Sequence, residues 1–127
     1  MPVRCLSSSV LIWPDLRTVD RAVRDWAAQT AARRLDVLRI GYFGSYARGD
    51  WGVGSDLDLI VVVEQCEQAP ELRLAAFDAK SLPVPADMLV YSADEWRALD
   101  KHSRFFQTLL GEAVCVHVRD ASRSPGL

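Results

Sequence analysis

The chain has 127 residues, half of them hydrophobic and a quarter charged, with a formal net charge of −2. That is enough chain to bury one core, and it carries no basic field that would gather nucleic acid, so stable nucleic-acid binding is not expected. The apolar stretch from Val10 to Trp13 stops at Pro14, too short for a signal core or a membrane span, and the three cysteines (Cys5, Cys66, Cys115) lack CxxC spacing. These features exclude a disulfide frame and a zinc site and point to a reduced, cytoplasmic chain.

In chain order, residues 1–13 read as a loose arm. From Pro14 or Asp15 to about Arg34, Val19, Ala22, Val23, Trp26, Ala27, Thr30 and Ala31 recur at helical spacing, the stripe of a helix lying on a sheet. Arg17, Arg21 and Arg24 fall on the solvated side. Asp36 to Phe43 reads as a first strand, and Leu57 to Val63, apolar almost throughout, as a central strand buried on both faces. A polar connection from Glu64 to Pro70 leads to a helix over Glu71 to Ala79. A third strand runs from Val84 to Tyr91, with proline at its tolerated start. Ser92 and Glu95 form a capping-box pattern that opens a helix to about Lys101. A further helix, with Phe105, Phe106, Leu109 and Leu110 on one face, is expected to stop at Gly111. Ala113 to Val118 is a last short strand, and 119–127 a fraying tail. The order predicts an α+β domain over 14–118: a small mixed sheet with helices mainly on one face.

The informative stretch is Gly44 to Asp58, reading GSYARGDWGVGSDLD between the first two strands. Side chains two apart on a strand share a face, so Asp56 and Asp58 stand side by side while Leu57 and Leu59 turn to the core. Carboxylates that close repel when both are ionised, unless one is protonated, water screens them or a cation lies between. Hard divalent ions take such oxygen ligands together with substrate phosphates. Gly44 lets an anion approach the backbone, and the amides and hydroxyl that begin at Ser45 can donate to it. Asp87 is the candidate third carboxylate: it interrupts an apolar strand, where a lone charge is costly unless paired or metal-bound. His102 and His117 match no ligand spacing and read as structural.

Gly44-Ser45, ten residues, then Asp56-Leu57-Asp58 resembles the GS-x10-DxD signature of the DNA polymerase β-like nucleotidyltransferases. The fuller wording, GSYARGD followed by SDLDL, is similar to the minimal nucleotidyltransferase (MNT) antitoxins that pair with HEPN-domain toxins. The resemblance is detailed from Val37 to Val63 and looser elsewhere. It implies a palm-like core, ATP as donor and two Mg2+ ions held by Asp56, Asp58 and Asp87, with Gly44 and Ser45 on the β- and γ-phosphates. Arg48 either touches the triphosphate or is a structural loop arginine. Trp51 stacks on a base, meets a partner or has no such role.

The resemblance further implies transfer of AMP to a tyrosine hydroxyl of a HEPN RNase toxin, in a hetero-oligomer or a homodimer. Two alternatives stand beside it. One is a nucleotidyltransferase for a small hydroxyl compound such as an aminoglycoside; the other is an antitoxin that acts by steric cover alone.

Overall fold

The computed structural model describes residues 13–66 and 70–119. Most of the expected arm, including Cys5, and residues 120–127 of the expected tail lie outside the described residues. Asp15 caps the first helix, α1 (Leu16–Arg33), by accepting from the Thr18 backbone N–H at 2.9 Å. The stripe predicted from the sequence is the buried one: Val19, Val23, Trp26, Ala27 and Ala31 face the sheet. At its C-terminal end, Arg34 forks onto Asp36 at 2.9 and 3.2 Å and lies 4.7 Å from the Phe77 ring centroid. This closes the turn into β1 (Val37–Phe43).

A single helical turn, α2 (Ser45–Arg48), and a loop connect β1 to β2 (Leu57–Val63). Then come α3 (Pro70–Arg73) with a 3-10 turn (Leu74–Ala76), β3 (Ala86–Ser92), α4 (Ala93–Ala98), α5 (Arg104–Glu112) and β4 (Val114–Val118). The sheet order is β3-β2-β1-β4, with β1 antiparallel to both β2 and β4 and β2 parallel to β3. The mixed sheet and the central place of β2 are as the sequence predicts.

Alternation on β2 divides the molecule into two layers. Leu57, Leu59, Val61 and Val63 enter the cluster under α1 with Val23, Trp26, Tyr42 and Tyr46. Ile60 and Val62 enter the other cluster with Trp96 of α4 and Phe106 and Leu109 of α5. The long helix thus covers one face and two short helices patch the centre of the other, so helices lie on both faces where the element order predicts mainly one. In β1 a bulge between Val37 and Arg39 puts Val37, Ile40 and Tyr42 on the α1 side together.

Three further expectations need adjustment. The helix expected to Ala79 ends at Ala76, because Phe77 is pulled into the core and the Asp78 carbonyl accepts from Trp26 Nε1 at 2.8 Å. The helix expected to Lys101 ends at Ala98; Asp100 then accepts from the His102 amide, and its carbonyl from Ser103 Oγ, which turns the chain. Gly111 does not stop α5, which continues to Glu112 and is capped at Ala113. Leu110 accordingly is exposed, and the inward stripe is Phe106, Leu109, Glu112.

The expected capping box is formed: Ser92 Oγ accepts from the Glu95 N–H at 3.1 Å and Glu95 accepts from the Ser92 N–H at 2.8 Å. The same Glu95 carboxylate takes a bidentate contact from buried Arg73 at 2.6 and 3.0 Å, while Arg73 also donates to the Val90 carbonyl. The Arg73 contact, with the capping-box bonds, holds Glu95 down at about 2. A carboxyl depressed in the fold stabilises above its unfolded pKa and loses that contribution as pH falls toward the folded one. Acid titration of stability should therefore show a loss from about pH 4.5 down to about pH 2. Arg73→Met should flatten that slope and cost about 1–2 kcal/mol at neutral pH, discounted because Glu95 is 43% exposed, as measured by urea melts with circular dichroism.

Candidate active site

The carboxylates stand at one end of β2, on the face covered by α4 and α5. Asp58 heads the row that continues as Ile60 and Val62, and Asp56 precedes it by one strand repeat, exposed before the strand begins. Asp87 on β3 is the direct register partner of Asp58. Its row continues as Leu89 and Tyr91, while Met88 and the buried Val90 turn to the α1 layer. Asp87 itself is exposed, and its parallel pairing sets it beside Asp58 on one face. Burial pushes the Asp58 carboxyl above its ordinary value, and the charges of Asp87 and Asp56 push it further.

Gly44 lies against Asp58. Its φ of +85° is in the left-handed region, and a Cβ there would collide with an Asp58 carboxylate oxygen. Glycine is thus required twice over, by backbone conformation and by contact. The chain then enters α2, where Gly49 closes the turn at φ +87° and donates to the Ser45 carbonyl at 3.0 Å. Ser45 opens this turn half-buried. Inside it, buried Tyr46 stacks on Trp51 (centroids 5.6 Å apart, planes at 10°), which anchors the loop to the core. One face of Trp51 is therefore taken by the protein itself.

Sequence reasoning missed Glu112. Its carboxylate accepts from the Gly44 backbone N–H at 2.7 Å and pairs with Arg48 at 3.3 Å. Arg48 also donates to Asp50 at 3.1 Å. The signal was an acid continuing the Phe106–Leu109 stripe by one more helical step, hidden by ending the helix at Gly111. His102 and His117 stand apart from this group: burial, then the Arg119 charge, lowers the His117 pKa.

The donor set is all hard oxygen, and the mutual repulsion that raises Asp58 is what a divalent cation relieves. Among the described residues, no three His, Cys, Asp or Glu side chains already converge on a common point. Asp58 and Asp87 share a register position, and Asp56 precedes Asp58 by two residues at the same end of β2. Their chemistry fits a divalent ion.

A four-stranded mixed sheet with flanking helices, of this strand order, is the polymerase β-like nucleotidyltransferase fold. The family model described as nucleotidyltransferase domain matches residues 25–124, and the chain belongs to that family. No curated protein matches the chain. Among solved structures, a provisionally assigned nucleotidyltransferase from Sulfolobus solfataricus is similar at 18% identity, covering 83% of this chain and 85% of that one with a TM-score of 0.61. A toxin–antitoxin structure with AMP-PNP is similar at 13% identity, 78% and 76% coverage and a TM-score of 0.51. A mutant of the toxin–antitoxin pair MntA-HpeT, carrying two Asp-to-Glu changes two positions apart, is similar at 12% identity with the same coverages and TM-score. At these identities the likeness is one of fold.

Gly44→Ala should destabilise the chain by about 2 kcal/mol or more, since it meets both the left-handed φ and the Asp58 contact. Gly52→Ala, where a Cβ meets nothing within 4 Å, should be close to neutral in the same thermal melts.

Proposed function

We propose that this nucleotidyltransferase-family chain is an antitoxin-type minimal nucleotidyltransferase, transferring AMP from ATP to a tyrosine hydroxyl of a partner HEPN RNase toxin. The observation that carries the transfer chemistry is the Asp58–Asp87 register pair with Gly44 packed against Asp58. The toxin partner is supported by the GSYARGD…SDLDL wording and by likeness to two toxin–antitoxin structures, one described with AMP-PNP.

In this reading the turn at Gly44 and Ser45 receives the β- and γ-phosphates, with backbone amide and hydroxyl as donors. Arg48, on the first turn after it, lies within reach of the same anion. Asp56, Asp58 and Asp87 would hold two Mg2+ ions, which supply neutralisation of the triphosphate and a lowered pKa for the acceptor hydroxyl. Asp87, the more exposed of the paired aspartates, accepts the proton of the tyrosine hydroxyl. The tyrosine oxygen bonds to the α-phosphorus, and the bond from that phosphorus to pyrophosphate breaks in line. The protein's contribution is orientation and fixed charge placement.

Asp58→Asn should abolish transfer and leave the fold intact or slightly stabilised, because the repulsion and burial that raise its pKa act against the ionised form. The check is incubation with α-labelled ATP and a HEPN toxin, followed by mass spectrometry for an AMP adduct, with circular dichroism of the variant. Label that survives Asp58→Asn would remove Asp58 from the chemistry. A wild-type chain that never labels the toxin would remove the acceptor.

A further inference from the structure

Glu112 occupies an electrostatically awkward place. It is the last residue of α5, where the helix macrodipole disfavours an acid, and the last turn contains no basic side chain. It is only 15% exposed and meets the Gly44 turn, against which the Asp58 carboxylate also lies. Nothing in the helix favours it there. What favours it is the Gly44 N–H at 2.7 Å and the Arg48 guanidinium at 3.3 Å.

Those two donors belong to the turn to which the proposed function assigns the phosphates. One N–H directed at a carboxylate oxygen cannot at the same time be directed at a phosphate oxygen. A fixed negative charge at that place also repels the incoming triphosphate. We propose that Glu112 is a built-in competitor for the nucleotide's phosphates, occupying the Gly44 N–H and the Arg48 guanidinium and giving both up when a triphosphate binds.

The side chain can leave without disturbing the core, because Leu109 and Phe106, about one and two turns earlier, carry the packing of α5. Departure frees both donors for the phosphates and removes a repulsive charge from the acidic edge. Glu112 then acts as a determinant of nucleotide affinity that never touches the reacting atoms. This inference rests on the reading of Gly44, Ser45 and Arg48 as the phosphate cradle.

The test measures magnesium tripolyphosphate and MgATP binding by calorimetry for wild type, Glu112→Gln and Glu112→Ala, each checked by circular dichroism. Glu112→Gln keeps the shape and an acceptor oxygen while losing the charge, so it remains informative if Glu112→Ala frays the helix end. Expected is tighter binding of both ligands by about three- to tenfold, less than a fully buried charged hydrogen bond would give because Arg48 is half exposed. The Gly44 amide proton should also shift upfield in Glu112→Gln and return downfield on adding tripolyphosphate. A folded Glu112→Gln that binds tripolyphosphate equally or more weakly overturns the inference while leaving the cradle standing. Binding of neither ligand by any form removes the cradle, and the inference with it.

Discussion

The molecule depends on one constraint, that β2 is buried on both faces for most of its length. Leu57, Leu59, Val61 and Val63 fill the α1 layer, while Ile60 and Val62 fill the layer under α4 and α5. A strand so enclosed must be apolar wherever it is covered, since an unpaired charge inside costs several kcal/mol. Its second row turns acidic only where the covering helices run out. Asp58 is therefore placed at the rim of a rigid element, with its backbone fixed by pairing on both sides. Few positions in a small domain combine a carboxylate, a held backbone and an open approach.

Rigidity at that rim comes from both neighbours. Phe43 of β1 is the register partner of Asp58 on one side, and Asp87 of β3 on the other. Immediately after Phe43 the chain turns at Gly44, and the turn is anchored below by the Tyr46–Trp51 stack and by the Tyr46 hydroxyl donating to the Pro14 carbonyl at 3.0 Å. The acidic edge and the glycine turn are thus parts of a single packed unit. A shift of either would be felt by the other through the close Gly44–Asp58 contact.

Away from the β2 rim the ion pairs do different work. Arg34 with Asp36 joins helix to strand, and Asp20 accepts from both Arg24 and the Tyr42 hydroxyl at 2.8 and 2.7 Å. Arg73 and Glu95 tie α3 to the cap of α4. These contacts are satisfied locally, and they fix elements that carry the core. The charges at the β2 rim are the contrary case: like charges are gathered there, and Asp58 is raised by them as well as by burial. The pairs Arg34–Asp36 and Arg73–Glu95 join elements, whereas the acids at the β2 rim are crowded together.

Much of this was written in local sequence. The α1 stripe, the two-faced apolarity of β2, the Ser92–Glu95 cap and the GS-x10-DxD spacing are patterns of period 3.6, period 2 or fixed offset, and local backbone geometry decides them. They were enough for the element order, the mixed sheet and the family. The pairing of Asp58 with Asp87, by contrast, is a matter of strand register, and Gly44's contact with the Asp58 carboxylate is made across two strands. Glu112 reaches Gly44 over 68 positions of chain. No window of sequence holds these relations, because they depend on which strand lies beside which and on where α5 ends. Sequence supplied the chemical groups, and packing decided which of them meet.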